Sequence, residues 1–262
     1  MSFVFENIHN AYRQVLRDVW FNPQFKAAPR GLPVRETLNY TFVVESPVAE
    51  PIRTADEERN KVIAEYTAKE VELYNSCSNR VEDFAKASKF WNQLANPDGT
   101  INSAYGYLIW KKQSCGHWFE GDAVTVEDLR IDPTAMNHIF RTPWEWAKQC
   151  LIQDKDTRQA IMRFSLPEHQ YVGNKDQTCT MHANWLIRND KLYLTVIMRS
   201  NDLMKGLVYD LPWFVSLMDK MVDELKPTYP DLKKGEYTHL SHSMHIYEKD
   251  GPSILKMIGE TE

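Results

Sequence analysis

Between Trp185 and Met198 the side chains alternate in a way that only a β-hairpin satisfies. Trp185-Leu186-Ile187-Arg188 and residues 191–198 flank Asn189-Asp190, two residues that tolerate the left-handed backbone of a tight turn. Leu192, Leu194, Val196 and Met198 fall on one face, and Tyr193, Thr195, Ile197 and Arg199 on the other, because successive strand residues point to opposite sides. Such a hairpin returns the chain to where it began. It therefore brings Arg199-Ser200 back beside Cys179.

The remaining elements arrange themselves around this hairpin. Residues 211–225 carry Leu211, Phe214, Val215, Met218, Val222 and Leu225 at helical spacing, predicting an amphipathic helix stopped by Pro227 and Pro230. Residues 7–19 repeat Ile8, Ala11, Tyr12, Val15 and Val19 with the same period, and 36–44 read as a strand. A helix is predicted over 57–75 with a mixed face of Val62, Tyr66, Lys69, Val71 and Leu73. Asn96-Pro97-Asp98-Gly99 is a turn, and Thr142-Pro143-Trp144-Glu145 is a capping box opening a helix to about Ile152. Residues 111–142 show no clear pattern and are expected to be an insertion. No linker divides the chain, so residues 1–262 are expected to form one domain.

Composition excludes several classes of function. A net charge of -5 and a pI near 5.9 disfavour nucleic-acid binding without sequence preference, which needs a basic face. One phosphate, in contrast, requires only two or three placed arginines. No apolar run is long enough for a signal segment or a bilayer span. Cys77, Cys115, Cys150 and Cys179 form no CxxC pair and read as reduced thiols in a cytoplasm. His239, His242 and His245 are spaced by three, but on a strand His242 would face away from the others, so no metal is expected. Phosphate-cradling Gly-rich loops and an ordered Ser-His-Asp motif are absent from the sequence.

Each chemical candidate has a plainer reading. Cys179 fits a small buried apolar residue, or a nucleophile whose thiolate is favoured by nearby Arg199. Arg199 and Ser200 suit a phosphate, but Arg199 equally suits a surface pair with Asp202. Asp202 can simply start the turn through Gly206. Asp210 precedes Leu211-Pro212-Trp213, where a helix cap or first-turn acid is the plainer assignment, although a capping carboxylate can also face a ligand. Of Glu70 and Glu72, only one is expected to point inward.

Read together, Cys179, Arg199-Ser200-Asn201-Asp202, Gly206 and a polar residue at the start of a helix resemble the thymidylate synthase superfamily. Among its members the chain looks most like the phage-type deoxycytidylate hydroxymethylases. The likeness extends to Glu70 with Tyr74, Trp91, the run from Gly99 to Gly106, Asp156-Thr157-Arg158, and His245-Ile246-Tyr247. It implies an α/β (α+β) fold, with a large mixed sheet flanked by helices and two subunits packed through their sheets. It also implies that Cys179 adds to carbon 6 of a pyrimidine nucleoside monophosphate. Arg199, Ser200, the partner's Arg158 and, more weakly, Arg30 would hold the phosphate, with His245 and Tyr247 on the sugar. Asp202, Trp91 and Gly206 would meet 5,10-methylenetetrahydrofolate, Tyr105 would line the pocket, and Glu70 would organise water and protons.

Asp210 decides the base in this reading, because a uracil-reading member carries Asn there. Cytosine offers an amine and a bare ring nitrogen; a carboxyl group accepts from the first and shares a proton with the second. An ionised carboxylate facing uracil would oppose two acceptors, costing about 1–3 kcal/mol. The fifteen residues after Tyr247 look short and charged for a folate-covering lid. Water is then expected to complete the reaction, giving 5-hydroxymethyl-dCMP. A dCMP methyltransferase, a CMP hydroxymethylase, a dUMP-specific synthase and an inactive nucleotide- or RNA-binding relative stay as alternatives. Gln159, Thr180 and His242-Ser243 depart from the family pattern, leaving open the second phosphate contact and the choice between ribose and deoxyribose.

Overall fold

The computed structural model describes residues 3–112 and 142–260. Most of the expected insertion, with Cys115, lies outside the described residues. The helices run α1 Ile8–Phe21, α2 Glu57–Asn75, α3 Val81–Ala87, α4 Tyr105–Trp110, α5 Pro143–Gln153, α6 Val208–Leu225 and α7 Gly251–Ile258. The strands are β1 Phe3–Phe5, β2 Phe25–Ala27, β3 Val34–Val44, β4 Ile161–Arg163, β5 Thr180–Arg188, β6 Lys191–Met198, β7 Asn201–Asp202 and β8 Lys233–Tyr247. They form one mixed sheet in the order β1-β3-β8-β6-β5-β4, with β2 on β3 and β7 on β8. Only β1–β3, β6–β8 and β7–β8 are parallel.

The hairpin forms as its alternation predicts. Asn189 and Asp190 take φ of 50° and 54°, the doubly left-handed turn that matches strand twist. Leu192, Leu194, Val196 and Met198 are buried, while Leu186, Tyr193, Ile197 and Leu240 on the other face stay half-exposed. The capping box also stands: Thr142 accepts from the Glu145 backbone N–H, and Glu145 reaches back to Thr142.

Three helical expectations are refined. The helix predicted over 211–225 starts at Val208 and is buried on all sides through Val215, while its second half is amphipathic as predicted, with Asp219, Lys220 and Asp223 exposed. It is the crossover joining parallel strands β6 and β8, and α2, α1 and α5 pack against it as well. Second, α2 turns Ile63, Thr67, Glu70, Leu73 and Tyr74 inward, while Val62 and Lys69 are exposed. The inward stripe is set by packing on α6, and it includes a carboxylate that hydropathy alone would place in water. Third, the residues after Tyr247, read only as short and charged, are helical. They form α7, which buries Ile254 and Met257 beside α1 and accepts the Ala55 N–H at Met257 O, 2.9 Å away.

A kink crosses the sheet. Asn39 of β3 has φ 52° and drops out of the β3–β8 register together with His242, whose Nδ1 lies 2.8 Å from Asn39 Oδ1. Along β8 the buried positions change from Tyr237, His239 and Ser241 to Met244 and Ile246. The pairing keeps the same register on both sides of this point, yet the buried face changes there, leaving His245 and Tyr247 half-exposed rather than in the core.

Helices α2 and α4 touch backbone to backbone at Gly106. A Cβ built there would lie 1.8 Å from Tyr74 O, so any side chain must drive the helices apart. Gly106→Ala is expected to cost roughly 3 kcal/mol, lowering Tm by about 6–12 °C in a thermal melt. An unchanged melting curve would show that α4 shifts freely.

Candidate active site

The hairpin sets the first pair of groups. Arg199 N donates to Cys179 O at 2.9 Å, continuing the β5–β6 ladder past its last paired residues. The Arg199 side chain turns towards the same loop, with Nε on Thr178 O at 3.0 Å, Nη2 on Gln177 O at 2.6 Å, and Nη2 3.6 Å from Cys179 Sγ. Among the described residues these are its partners, rather than the Asp202 of the surface-pair reading. Burial pushes the Cys179 thiol above its ordinary value, Arg199 pulls it down, and Asp210, Asp176 and Asp202 oppose ionisation.

Tyr105 closes the other side of the thiol loop. Its Oη accepts from Thr180 Oγ1 at 2.9 Å. Its ring stacks with Tyr74, centroids 5.4 Å apart, and leans on Trp213 and Phe164. Buried Asp176 ties α4 to this loop by accepting from Ser103 N at 2.8 Å and Ser103 Oγ at 2.6 Å. Thr180, which follows Cys179, is therefore occupied with Tyr105.

Asp210 is not a cap. The N-cap position of α6 is Leu207, with no side-chain hydrogen bond, and Asp210 sits inside the first turn. There it is buried and accepts from Asn201 Nδ2 at 3.2 Å. Tyr12 Oη donating to Leu203 O at 2.8 Å and Arg59 Nη2 donating to Met204 O at 3.0 Å brace the π-helical turn Leu203–Leu207 before it. Gly206 is required in that turn, because a Cβ would lie 2.6 Å from Asn201 Oδ1 and 3.2 Å from Asp210 Oδ2. Burial raises the Asp210 carboxyl to about 7, against the pull of the Asn201 hydrogen bond and with help from Asp202.

Glu70 approaches from α2. Burial raises it to about 8, Asp210 adds repulsion, and the hydroxyls of Tyr74 and Tyr66 partly offset both. Two carboxyl groups are thus brought to titrate near physiological pH. This is the environment of a group that exchanges protons rather than of a structural ion pair. Tyr66 also packs on Tyr209, and half-buried Trp91 packs on Phe84.

A polar edge completes the pocket. Ser200 Oγ lies 3.5 Å from His245 Nδ1, and Asp202 pairs with His245 in the β7–β8 register. The His245 and Tyr247 rings meet edge to face at 5.6 Å. Asp202 does begin its turn, accepting from Met204 N at 2.8 Å and Lys205 N at 3.3 Å through Oδ1. Its second oxygen remains available. Arg158 and Arg30 stand apart: both are exposed, and Arg30 adopts φ 54° in the Pro29–Gly31 turn.

Sequence reasoning singled out no part for Asn201, Tyr66, Asp176 or Thr180 in holding the site. Of His239 it considered only metal binding. The signal for Asn201 was its place between two chemical residues. Its value depends on a contact nine residues ahead, which periodicity does not report. Among the described residues no group of three His, Cys, Asp or Glu could hold a metal ion. None of the described helices is long and apolar enough to cross a membrane.

The family model described as thymidylate synthase matches residues 10–261. The chain is 31% identical over 192 residues to deoxycytidylate 5-hydroxymethyltransferase of Enterobacteria phage T6, covering 71% of this chain and 68% of that one. It is 30% identical to the phage T4 enzyme of the same name with the same coverage. The structure resembles thermostable thymidylate synthase A from Bacillus subtilis with a TM-score of 0.67 and 18% identity, over 98% of this chain and 85% of that one. This last likeness is one of fold.

The raised carboxyls have a stability signature. Glu70 and Asp210 bind protons more tightly folded than unfolded, so stability falls as pH rises from about 4 towards 8. Glu70→Gln and Asp210→Asn should therefore raise Tm by a few degrees at pH 8 and change it little at pH 4. An equal gain at both pH values, read from melts, would place the effect in packing instead of charge.

Proposed function

Because the chain belongs to the thymidylate synthase family, whose members transfer a one-carbon unit to a pyrimidine nucleoside monophosphate, we propose that its substrate is dCMP and its product 5-hydroxymethyl-dCMP. The observation that carries this reading is Asp210. It is a buried carboxyl raised to about 7 at the start of α6, where the family's uracil-reading members carry an amide.

Each residue then has work that its surroundings suit. Arg199, with donors left over beyond Gln177 and Thr178, and Ser200 receive the 5'-phosphate. The arriving dianion offsets the pull of Arg199 and disfavours the Cys179 thiolate, so the thiol proton has to pass to water as Sγ bonds to carbon 6. Asp210 accepts from the cytosine amine and shares its proton with the ring nitrogen, drawing electrons from carbon 6 as the sulfur adds. Glu70, half protonated near pH 8, takes up and returns the protons that carbon 5 and the incoming water exchange. His245 and Tyr247 meet the sugar hydroxyl. Tyr105 holds the thiol loop through Thr180.

The co-substrate would lie along Trp91, Gly206 and Asp202. Their chemistry fits a pterin, since Trp91 offers a flat face and Asp202 an unused carboxylate oxygen for ring N–H groups. Methylenetetrahydrofolate supplies the one-carbon unit, and water rather than hydride completes the product. The water outcome is supported by α7, whose apolar residues are taken up beside α1.

We further propose that residues 1–262 work as one domain in a homodimer. The half-exposed apolar side of the sheet suits a second subunit. Exposed Arg158 then suits the phosphate of the neighbouring site.

Purified protein given dCMP and methylenetetrahydrofolate should yield a nucleotide heavier by one CH2O unit in a mass spectrum. A gain of CH2 would make it a methylase. Asp210→Asn should move preference towards dUMP, and retained dCMP preference would overturn the base assignment. Cys179→Ser and Arg158→Ala should each be nearly inactive alone yet regain about a quarter of activity when mixed, because one hybrid site keeps both residues. No recovery would place Arg158 outside the neighbouring site.

A further inference from the structure

Asp210 continues into a buried polar chain that extends away from the pocket. Asn201, 1% exposed, places Nδ2 3.2 Å from Asp210 Oδ2 and 3.4 Å from His239 Nε2. His239 is fully buried, stacks on Phe42 at 5.2 Å, and has Nδ1 2.8 Å from Tyr237 Oη. Asn201 Nδ2 also touches Met198 Sδ at 2.7 Å, while its Oδ1 is buried without a partner among the described residues. The room for this arrangement comes from the bare Cα of Gly206.

The chain bears on a problem that the Asp210 assignment leaves open. A neutral carboxyl has one donating and one accepting oxygen. It can pair with cytosine, which offers an amine and a bare nitrogen, or in the reversed sense with uracil. A carboxyl group alone therefore does not select cytosine. What selects it is which oxygen carries the proton.

We propose that Asn201, backed by His239, is a specificity-determining positioning residue that fixes Asp210 Oδ2 as the accepting oxygen and leaves Oδ1 to donate. This rests on the dCMP reading above. In the neutral tautomer whose Nδ1–H donates to Tyr237, Nε2 accepts from Asn201, and the amide cannot turn over without setting its oxygen against a bare nitrogen. The Asn201 N–H then stays on Oδ2. Oδ2 faces the 4-amino group of cytosine and Oδ1–H faces the ring nitrogen, whereas uracil meets an acceptor at position 4 and a donor at position 3.

Burial keeps His239 neutral, its value lowered to about 3. The other titratable groups acting on Asp210 come from every side. They are Tyr66, Glu70 and Tyr74 of α2, Tyr105 of α4, Cys179, Asp202 of β7 and Tyr237 of β8. None of them distinguishes the two Asp210 oxygens by a hydrogen bond; Asn201 does.

The test compares kcat/KM for dCMP and dUMP between pH 5.5 and 9 in wild type, Asn201→Ala, Asn201→Ser and His239→Gln. Asn201→Ala should cut the dCMP-to-dUMP ratio about 10- to 100-fold, one misdirected hydrogen bond. It should also move the basic limb of the dCMP profile to higher pH, because the carboxylate loses a donor. Asn201→Ser keeps one donor and should recover part of the ratio, and His239→Gln should reduce it less than Asn201→Ala. A fall in activity on both nucleotides with the ratio and the limb unchanged overturns the proposal and leaves Asn201 a packing residue. Should Asn201→Ala fail to fold, the Ser and Gln variants decide: both retaining the wild-type ratio and limb overturns it. A wild type that prefers dUMP overturns the dCMP reading itself, and this proposal with it.

Discussion

The structure turns on one buried carboxyl group. Asp210 is placed in the first turn of the most enclosed helix, where burial penalises its charge, and the surrounding chain is organised so that it can stay there. A braced π-turn delivers it, a glycine makes room beside it, and an amide hydrogen-bonds it. Another carboxyl, Glu70, reaches the same region from α2 and is also pushed towards its neutral form. Two acids that resist ionising destabilise the fold at neutral pH. Their retention is what a proton-handling site requires.

The thiol of Cys179 is arranged by a different principle. Cys179 and Arg199 are twenty residues apart, yet the hairpin makes them backbone neighbours, so their pairing is inherited from strand register rather than from side-chain chemistry. Burial and three carboxylates discourage the thiolate, and Arg199 alone favours it. Charge brought in by a phosphate alters that balance, so the site is set to respond to its substrate.

Much of this could be read in advance, for reasons that differ by residue. The 185–198 hairpin was legible because period-two alternation around Asn189-Asp190 is a local property. The capping box at Thr142 was legible because its partners lie three residues apart. Glu70 was recognisable as an inward candidate, but the face it shares with Ile63 and Thr67 was misread, because α6 and not hydropathy chooses that face. Asp210 was read as a helix cap or first-turn acid that could also face a ligand, and because the helix begins at Val208 it is a first-turn acid and not the cap. The segment after Tyr247 was read only as short and charged; its helix α7 forms against α1, a partner more than two hundred residues away in sequence.

By itself, the sequence determined the local elements, the meeting of Cys179 with Arg199, and membership of a family of one-carbon transferases, all of which follow from spacings of a few residues or from motifs in order. Only the tertiary structure decided what the acids are. Burial depth, the neutral state of His239 and the hydrogen bond from Asn201 to Asp210 depend on packing among α2, α6 and β8. The protonation of a carboxyl group is set by the dielectric and donors around it, and these are properties of neighbours in space.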